Sequence, residues 1–175
     1  MESLKRDPEN SITFSNIGLV YRKIEKFDKA IEYFNKEISL NPHESKSYSS
    51  RAYCFVRMGM YHEAIQDYTK ALQSDPDNLH FLHNRGICYQ KIRCYEEAVK
   101  DFTEEIKISN CPASYFIRGY CYDLMGEEKL AIKDFSVALQ KWSWIHNIYF
   151  WKKRMMKIKC LSVLWWRALG SWTQL

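Results

Sequence analysis

The sequence predicts an all-α fold, a solenoid built of helix pairs. The first observation is an internal repeat. Gly18, Ala52, Gly86 and Gly119 are spaced by 34, 34 and 33 residues, and Ala30, Ala64, Ala98 and Ala131 follow each of them by 12. Tyr21, Phe55, Tyr89 and Tyr122 lie three residues after each small residue, and Phe34, Tyr68, Phe102 and Phe135 recur further on. A period near 34 with helical spacing inside it is the mark of stacked helix pairs. The second observation is composition. Aromatics make up 15% of the 175 residues, while Gly and Pro together number ten. That balance excludes disordered, collagen-like and Gly-turn-rich β chains and favours helices packed through large side chains.

Each repeat divides into helix A and helix B. The small residue of helix A sits where helix B crosses closely, and the Ala of helix B answers it from the other side. Aromatics three and four residues away fill the space between repeats. Asn41-Pro42 and Asp75-Pro76 end the B helices of the first two repeats, because a residue before Pro is steered out of the α region.

These residues resemble the tetratricopeptide repeat family. The family pattern runs aromatic, Leu-Gly, Tyr, Ala, Phe, Ala, Pro across two antiparallel helices. Repeat one, residues 11–44, carries Phe14, Ile17-Gly18, Tyr21, Phe27, Ala30, Phe34 and Pro42. Repeat two, 45–78, carries Tyr48, Ala52, Phe55, Tyr61, Ala64, Tyr68, Ala71 and Pro76. Repeat three, 79–111, carries Leu82, Gly86, Tyr89, Tyr95, Ala98 and Phe102. Repeat four, 112–145, carries Tyr115, Gly119, Tyr122, Ala131, Phe135 and Ala138. The resemblance implies a right-handed superhelical solenoid of antiparallel helix pairs, whose A helices line a concave groove.

Departures from the pattern carry their own expectations. Glu37 and Glu105 stand where a small Ala is usual, which predicts looser packing of those B helices on the next A helix. Repeat three is one residue short and ends Ser-Asn-Cys-Pro, which predicts a local change around Asn110–Pro112. Leu4–Pro8 matches the end of a B helix with its Asp-Pro stop, so residues 1–10 read as the remnant of a truncated repeat and the chain as a short form of a longer repeat protein. Residues 146–160 read as a capping helix, with Lys153 at the small-residue position. Residues 161–175 hold Trp165, Trp166 and Trp172 and read as a tail fused by alternative splicing.

The charge is concentrated at one end. Of 26 basic and 21 acidic residues, six basic and no acidic ones fall within 146–175, so the repeats themselves are nearly neutral. The pI of 8.8 therefore describes the tail more than the body. There is no secretory h-region and no apolar run long enough to span a bilayer. Six cysteines in such a chain fit a reducing compartment, with the cytoplasm as default and the nucleus or cilium equally compatible.

The residues point away from catalysis. There is no Walker loop, dinucleotide fingerprint or nucleophile elbow. Cys54, Cys88 and Cys121 share one repeat position but form no Cys-x-x-Cys pair, and they read as small buried hydrophobes, not zinc ligands. His80 and His83 lie three apart on a helix A with no third ligand beside them. The chain is read as a non-enzyme with no cofactor and no metal.

By resemblance, the exposed groove carries Arg22, Lys23, Tyr53, Arg57, His83, Lys91, Phe116 and Tyr120. The apolar and basic members imply a partner protein that presents an extended or helical segment with apolar and acidic residues. Chaperone-binding members hold a C-terminal carboxylate with a Lys, Asn, Asn, Lys, Arg clamp. The matching positions here are Ser15, Leu19, Ser50, His80 and Asn84, or Ser49, Tyr53, Asn84, Ala113 and Ile117. Only Asn84 fits, which argues against that clamp. A second reading gives the basic Trp-rich tail contact with an anionic membrane surface or RNA; a third gives a truncated product little independent function. The charge balance of the body predicts a monomer.

Position seven of the repeats holds Ile17, Arg51, Arg85 and Arg118, and position twenty-three holds Tyr33, Asp67, Asp101 and Asp134. Arg and Asp appear together or not at all. A guanidinium in mid-helix is costly to desolvate alone, so the pattern predicts Arg–Asp pairs.

Overall fold

The computed structural model describes residues 8–142, which form eight α-helices and no strand among them. They are α1 (Pro8–Lys23), α2 (Phe27–Leu40), α3 (Ser45–Arg57), α4 (Tyr61–Ser74), α5 (Leu79–Lys91), α6 (Tyr95–Ser109), α7 (Pro112–Met125) and α8 (Glu128–Trp142). The capping helix and Trp-rich tail expected beyond residue 145 lie outside the described residues. The chain divides into two compact units, one holding α1–α5 and the other α6–α8. In the first, α1 packs on α2, α2 on α3, α3 on α4 and α4 on α5; in the second, α6 packs on α7 and α7 on α8.

The helix boundaries follow from the sequence. Position fifteen of every repeat has a left-handed backbone: Glu25 (φ 57), Gly59 (φ 78), Arg93 (φ 65) and Gly126 (φ 80). This residue closes helix A and turns the chain into helix B, which is why glycine takes the place twice. Helices α2 and α4 stop at Leu40 and Ser74, and Asn41 and Asp75 stand as C-caps before proline. The residue missing from repeat three is taken from the loop. Asn110 turns left-handed at φ 50, Cys111 is extended and Pro112 opens α7. At the other end, α1 begins at Pro8. Residues 8–10 thus start the first A helix and do not end an earlier B helix; Pro suits a first helical turn, where its missing N–H costs nothing.

Close crossing depends on the small residues. A Cβ on Gly18 would stand 2.7 Å from Cε1 of Phe34, and one on Gly119 would stand 3.1 Å from the ring of Phe135. Both rings are fully buried, as are Ala30, Ala64, Ala98 and Ala131.

The Glu positions do not loosen the junctions. Glu37 and Glu105 are buried, and the third residues of the following repeats are Ser47 and Ser114, both buried as well. Where position twenty-seven is Ala71, the corresponding residue is Phe81. Large faces small and small faces large, so volume is conserved across each junction. Ser47 and Ser15 stand near the Glu37 carboxyl, yet its Oε2 has no hydrogen-bond partner. Burial pushes this carboxyl above the usual carboxylate range, against the opposing pull of the two serines.

Two predictions follow from these contacts. Gly18→Ala forces its Cβ into the Phe34 ring and is expected to lower stability by about 1–2 kcal/mol, the overpacking cost outweighing the helix propensity gained; urea unfolding that shows a gain contradicts the close crossing. For Glu37 the folded state binds its proton more tightly than the unfolded state, so its contribution is intact at acid pH and is lost as pH rises through the folded value. Glu37→Gln is therefore expected to stabilise the chain at pH 7, by about 1 kcal/mol for relief of an unpaired buried acceptor. Melting curves at pH 4 should show little difference between variant and parent, and an equal effect at both values would place Glu37 in water.

Candidate functional site

The A helices of the first unit build a pocket of about 310 Å³. Helix α1 supplies Arg22, α3 supplies Lys46, Ser49 and Tyr53, and α5 supplies His80, Phe81 and Asn84. Asn78 forms the rim and Tyr68 of α4 reaches in from behind. Two cations stand in this wall and no carboxylate does.

Local structure fixes most of these groups. The Asn78 side chain accepts from the His80 N–H at 3.1 Å and the Phe81 N–H at 3.3 Å, which caps α5 and sets its entry angle. The Asn84 amide donates to the His80 carbonyl at 2.7 Å. Tyr53 is held from two sides. The Arg22 guanidinium lies 5.2 Å from its ring centroid, and Arg57 Nη1 donates to its hydroxyl at 2.9 Å. Arg57 also pairs with Glu25 at 3.0 Å and lies 5.1 Å over the Phe27 ring. Exposed pairs of this kind add little stability; their effect is to hold Tyr53 in place.

The expected groove residues separate into groups. Arg22, Tyr53 and Arg57 form one connected cluster. Lys23 and Lys91 are exposed in the last turns of α1 and α5, and His83 is half-buried on α5. Phe116 and Tyr120 belong to the second unit and pack half-buried on Ala131 and Phe135, with Phe116 5.4 Å from Phe135 and 5.8 Å from Trp142. The pocket also recruits Tyr68, Asn78 and Phe81, which groove positions alone do not indicate. Tyr68 does have a signal in the sequence. It is the single Tyr at a position that is otherwise Phe34, Phe102 and Phe135.

Cys54, Cys88 and Cys121 are fully buried inside their helices. Burial raises the Cys54 thiol to about 11 and that of Cys88 to about 12, which keeps both protonated and unreactive. Among the described residues, no group of three or more His, Cys, Asp or Glu is placed to hold a metal ion, and no helix is long and apolar enough to cross a membrane.

Arg51 donates from Nε and Nη2 to Asp67 at 2.8 and 2.6 Å, and from Nη1 to Asn35 of the preceding repeat. Arg118 donates to Asp134 at 2.7 and 2.8 Å and to Thr103 of the preceding repeat at 3.0 Å. Arg85 Nη1 donates to Thr69 at 3.1 Å; its expected partner Asp101 belongs to the other unit.

Known families and structures agree with this architecture. One tetratricopeptide repeat model matches residues 11–44 and 45–78, and a second matches residues 67–100. The chain belongs to the tetratricopeptide repeat family. Its fold is similar to that of MamA, at 24% identity over 79% of this chain and 81% of that one, with a TM-score of 0.73. It is also similar to the first tetratricopeptide repeat domain of Spaghetti (RPAP3) bound to an HSP90 peptide, at 20% identity over 69% and 96% and a TM-score of 0.64. YrrB, described as a repeat protein with an unusual peptide-binding site, aligns at 20% identity over 78% and 70% with a TM-score of 0.69. No curated protein sequence matches the chain. At these identities the tetratricopeptide likeness speaks for the fold.

Proposed function

We propose that this tetratricopeptide repeat chain is a non-catalytic protein-interaction module that binds an extended or helical segment of a partner in the groove of its A helices. The observation that carries this reading is the pocket shared by α1, α3 and α5, walled by Arg22, Lys46 and Tyr53 and free of carboxylates. A rigid aromatic flanked by cations suits a segment that mixes apolar and acidic residues. Two of its structural relatives are described as peptide binders, which supports the same use here. The module acts as a monomer, and its setting is the cytoplasm, where the free thiols of the described cysteines stay reduced.

Selection from a displayed random peptide library tests this reading. The full chain is expected to enrich peptides with apolar and acidic residues, and Tyr53→Ala is expected to weaken their binding by about tenfold, as loss of an aromatic anchor does. Enriched peptides that bind parent and Tyr53→Ala equally would place the site elsewhere.

A further inference from the structure

Repeat two departs from the others at two facing positions. Position eight is Gly18, Gly86 and Gly119 elsewhere, but Ala52 here; position twenty-four is Phe34, Phe102 and Phe135 elsewhere, but Tyr68 here. In repeats one and four the ring at position twenty-four lies so close to the glycine that a Cβ would meet it at 2.7 and 3.1 Å. Ala52 carries that Cβ. The Tyr68 ring cannot take the seat that Phe34 holds, and must sit further from α3.

The consequence appears at the pocket. Phe34, Phe102 and Phe135 are each 0% exposed, whereas Tyr68 is 3% exposed and lines the cavity. No described residue forms a hydrogen bond with its hydroxyl. The hydroxyl is not among the buried unpaired atoms of the described residues, which are those of Glu37, Ser47 and Ser114, so it opens onto the cavity and is available to donate to a group that enters it. The rest of the wall supplies positive charge from Arg22 and Lys46 and none of the opposite sign. The cavity of about 310 Å³ is at the lower limit of ligand pockets and suits one side chain.

From this we infer that the pocket is a socket for the carboxylate of an acidic side chain of the partner, with the Tyr68 hydroxyl donating from the floor and Arg22 and Lys46 supplying the charge. The inference rests on the groove reading above and names what the groove selects. Burial drives the Tyr68 phenol well above its ordinary range, so it stays a proton donor at neutral pH. A hydrogen bond to an ionised acceptor is about twice as strong as a neutral one, which makes the site discriminate Glu from Gln. The arrangement differs from the family's clamp for a chain terminus, because the lysine and arginine positions of that clamp are occupied by other residues.

Titration of the labelled full chain, followed by amide NMR shifts at Tyr53, Phe81 and Asn84, tests the socket with three probes. These are N-acetyl-glutamate methylamide, its glutamine counterpart, and N-acetylalanine as a free terminal carboxylate. The glutamate probe is expected to saturate these shifts and to bind at least about fivefold more tightly than the glutamine probe. Tyr68→Phe, which restores the residue of the other repeats and so keeps the fold, is expected to weaken the glutamate probe by about fivefold. Arg22→Gln should also weaken it. Equal binding of glutamate and glutamine, no effect of Tyr68→Phe, or absence of shifts overturns the socket. Tighter binding of N-acetylalanine overturns the side chain as its ligand. Library peptides that still depend on Tyr53 would then leave the groove standing while the socket falls.

Discussion

In repeats two and four a single guanidinium ties three helices together, and the register of those helices depends on it. Arg51 lies in mid-α3, grips Asp67 on α4 with two parallel hydrogen bonds and reaches back to Asn35 on α2. Arg118 does the same for α7, with Asp134 on α8 and Thr103 on α6. Both aspartates are buried. Burial alone pushes the Asp67 carboxyl up and the guanidinium opposes it; the planar fork of Arg satisfies a carboxylate and still has a donor left for the neighbouring repeat. The third acceptor is always position twenty-five of the repeat before: Asn35, Thr69 or Thr103. An ion held by three acceptor atoms on two neighbouring helices resists slip along the helix axes. That is how α3 comes to present Lys46, Ser49 and Tyr53 to one cavity.

Packing around these bridges follows reciprocal size. Gly18 admits the Phe34 ring, whereas repeat two sets Ala52 and Tyr68 in one core cluster. Ser47 leaves room for Glu37, and Phe81 fills the space beside Ala71. Repeat one omits the charges and replaces them with apolar contact: Ile17 stands for Arg, and Tyr33 stacks on Tyr21 with centroids 5.4 Å apart. Its A helix also differs at the leading face. Val20 is 60% exposed, whereas Cys54, Cys88 and Cys121 at the same position are fully buried.

Much of this was legible in the sequence because repetition supplies its own controls. Arg and Asp co-occurring in three repeats and absent together in the first pointed to contact, and the small-residue spacing located the helix crossings. The third acceptor at position twenty-five was not legible, since Asn, Thr, Thr looks like an ordinary polar surface position. The expectation for Glu37 failed because it considered one side of a junction and not the serine opposite. The neighbourhood of Arg22, Tyr53 and Arg57 was legible, since their positions on helix A suffice to bring them together. Tyr68 was read as one more core aromatic. Its place in the pocket wall depends on how α1, α3 and α5 come together around it, which the repeat pattern does not carry.

A double-mutant cycle on Arg51→Ala and Asp67→Ala, read by equilibrium unfolding, tests the bridge most directly. Arg51→Ala is expected to cost about 3–5 kcal/mol, because it leaves the buried Asp67 carboxylate unpaired, and Asp67→Ala about 2–3 kcal/mol, because Arg51 is partly exposed and keeps Asn35. The coupling is expected to be at least about 2 kcal/mol, within the range seen for residues of one network. Coupling near zero would contradict it and leave aromatic packing alone to set the register of the helices.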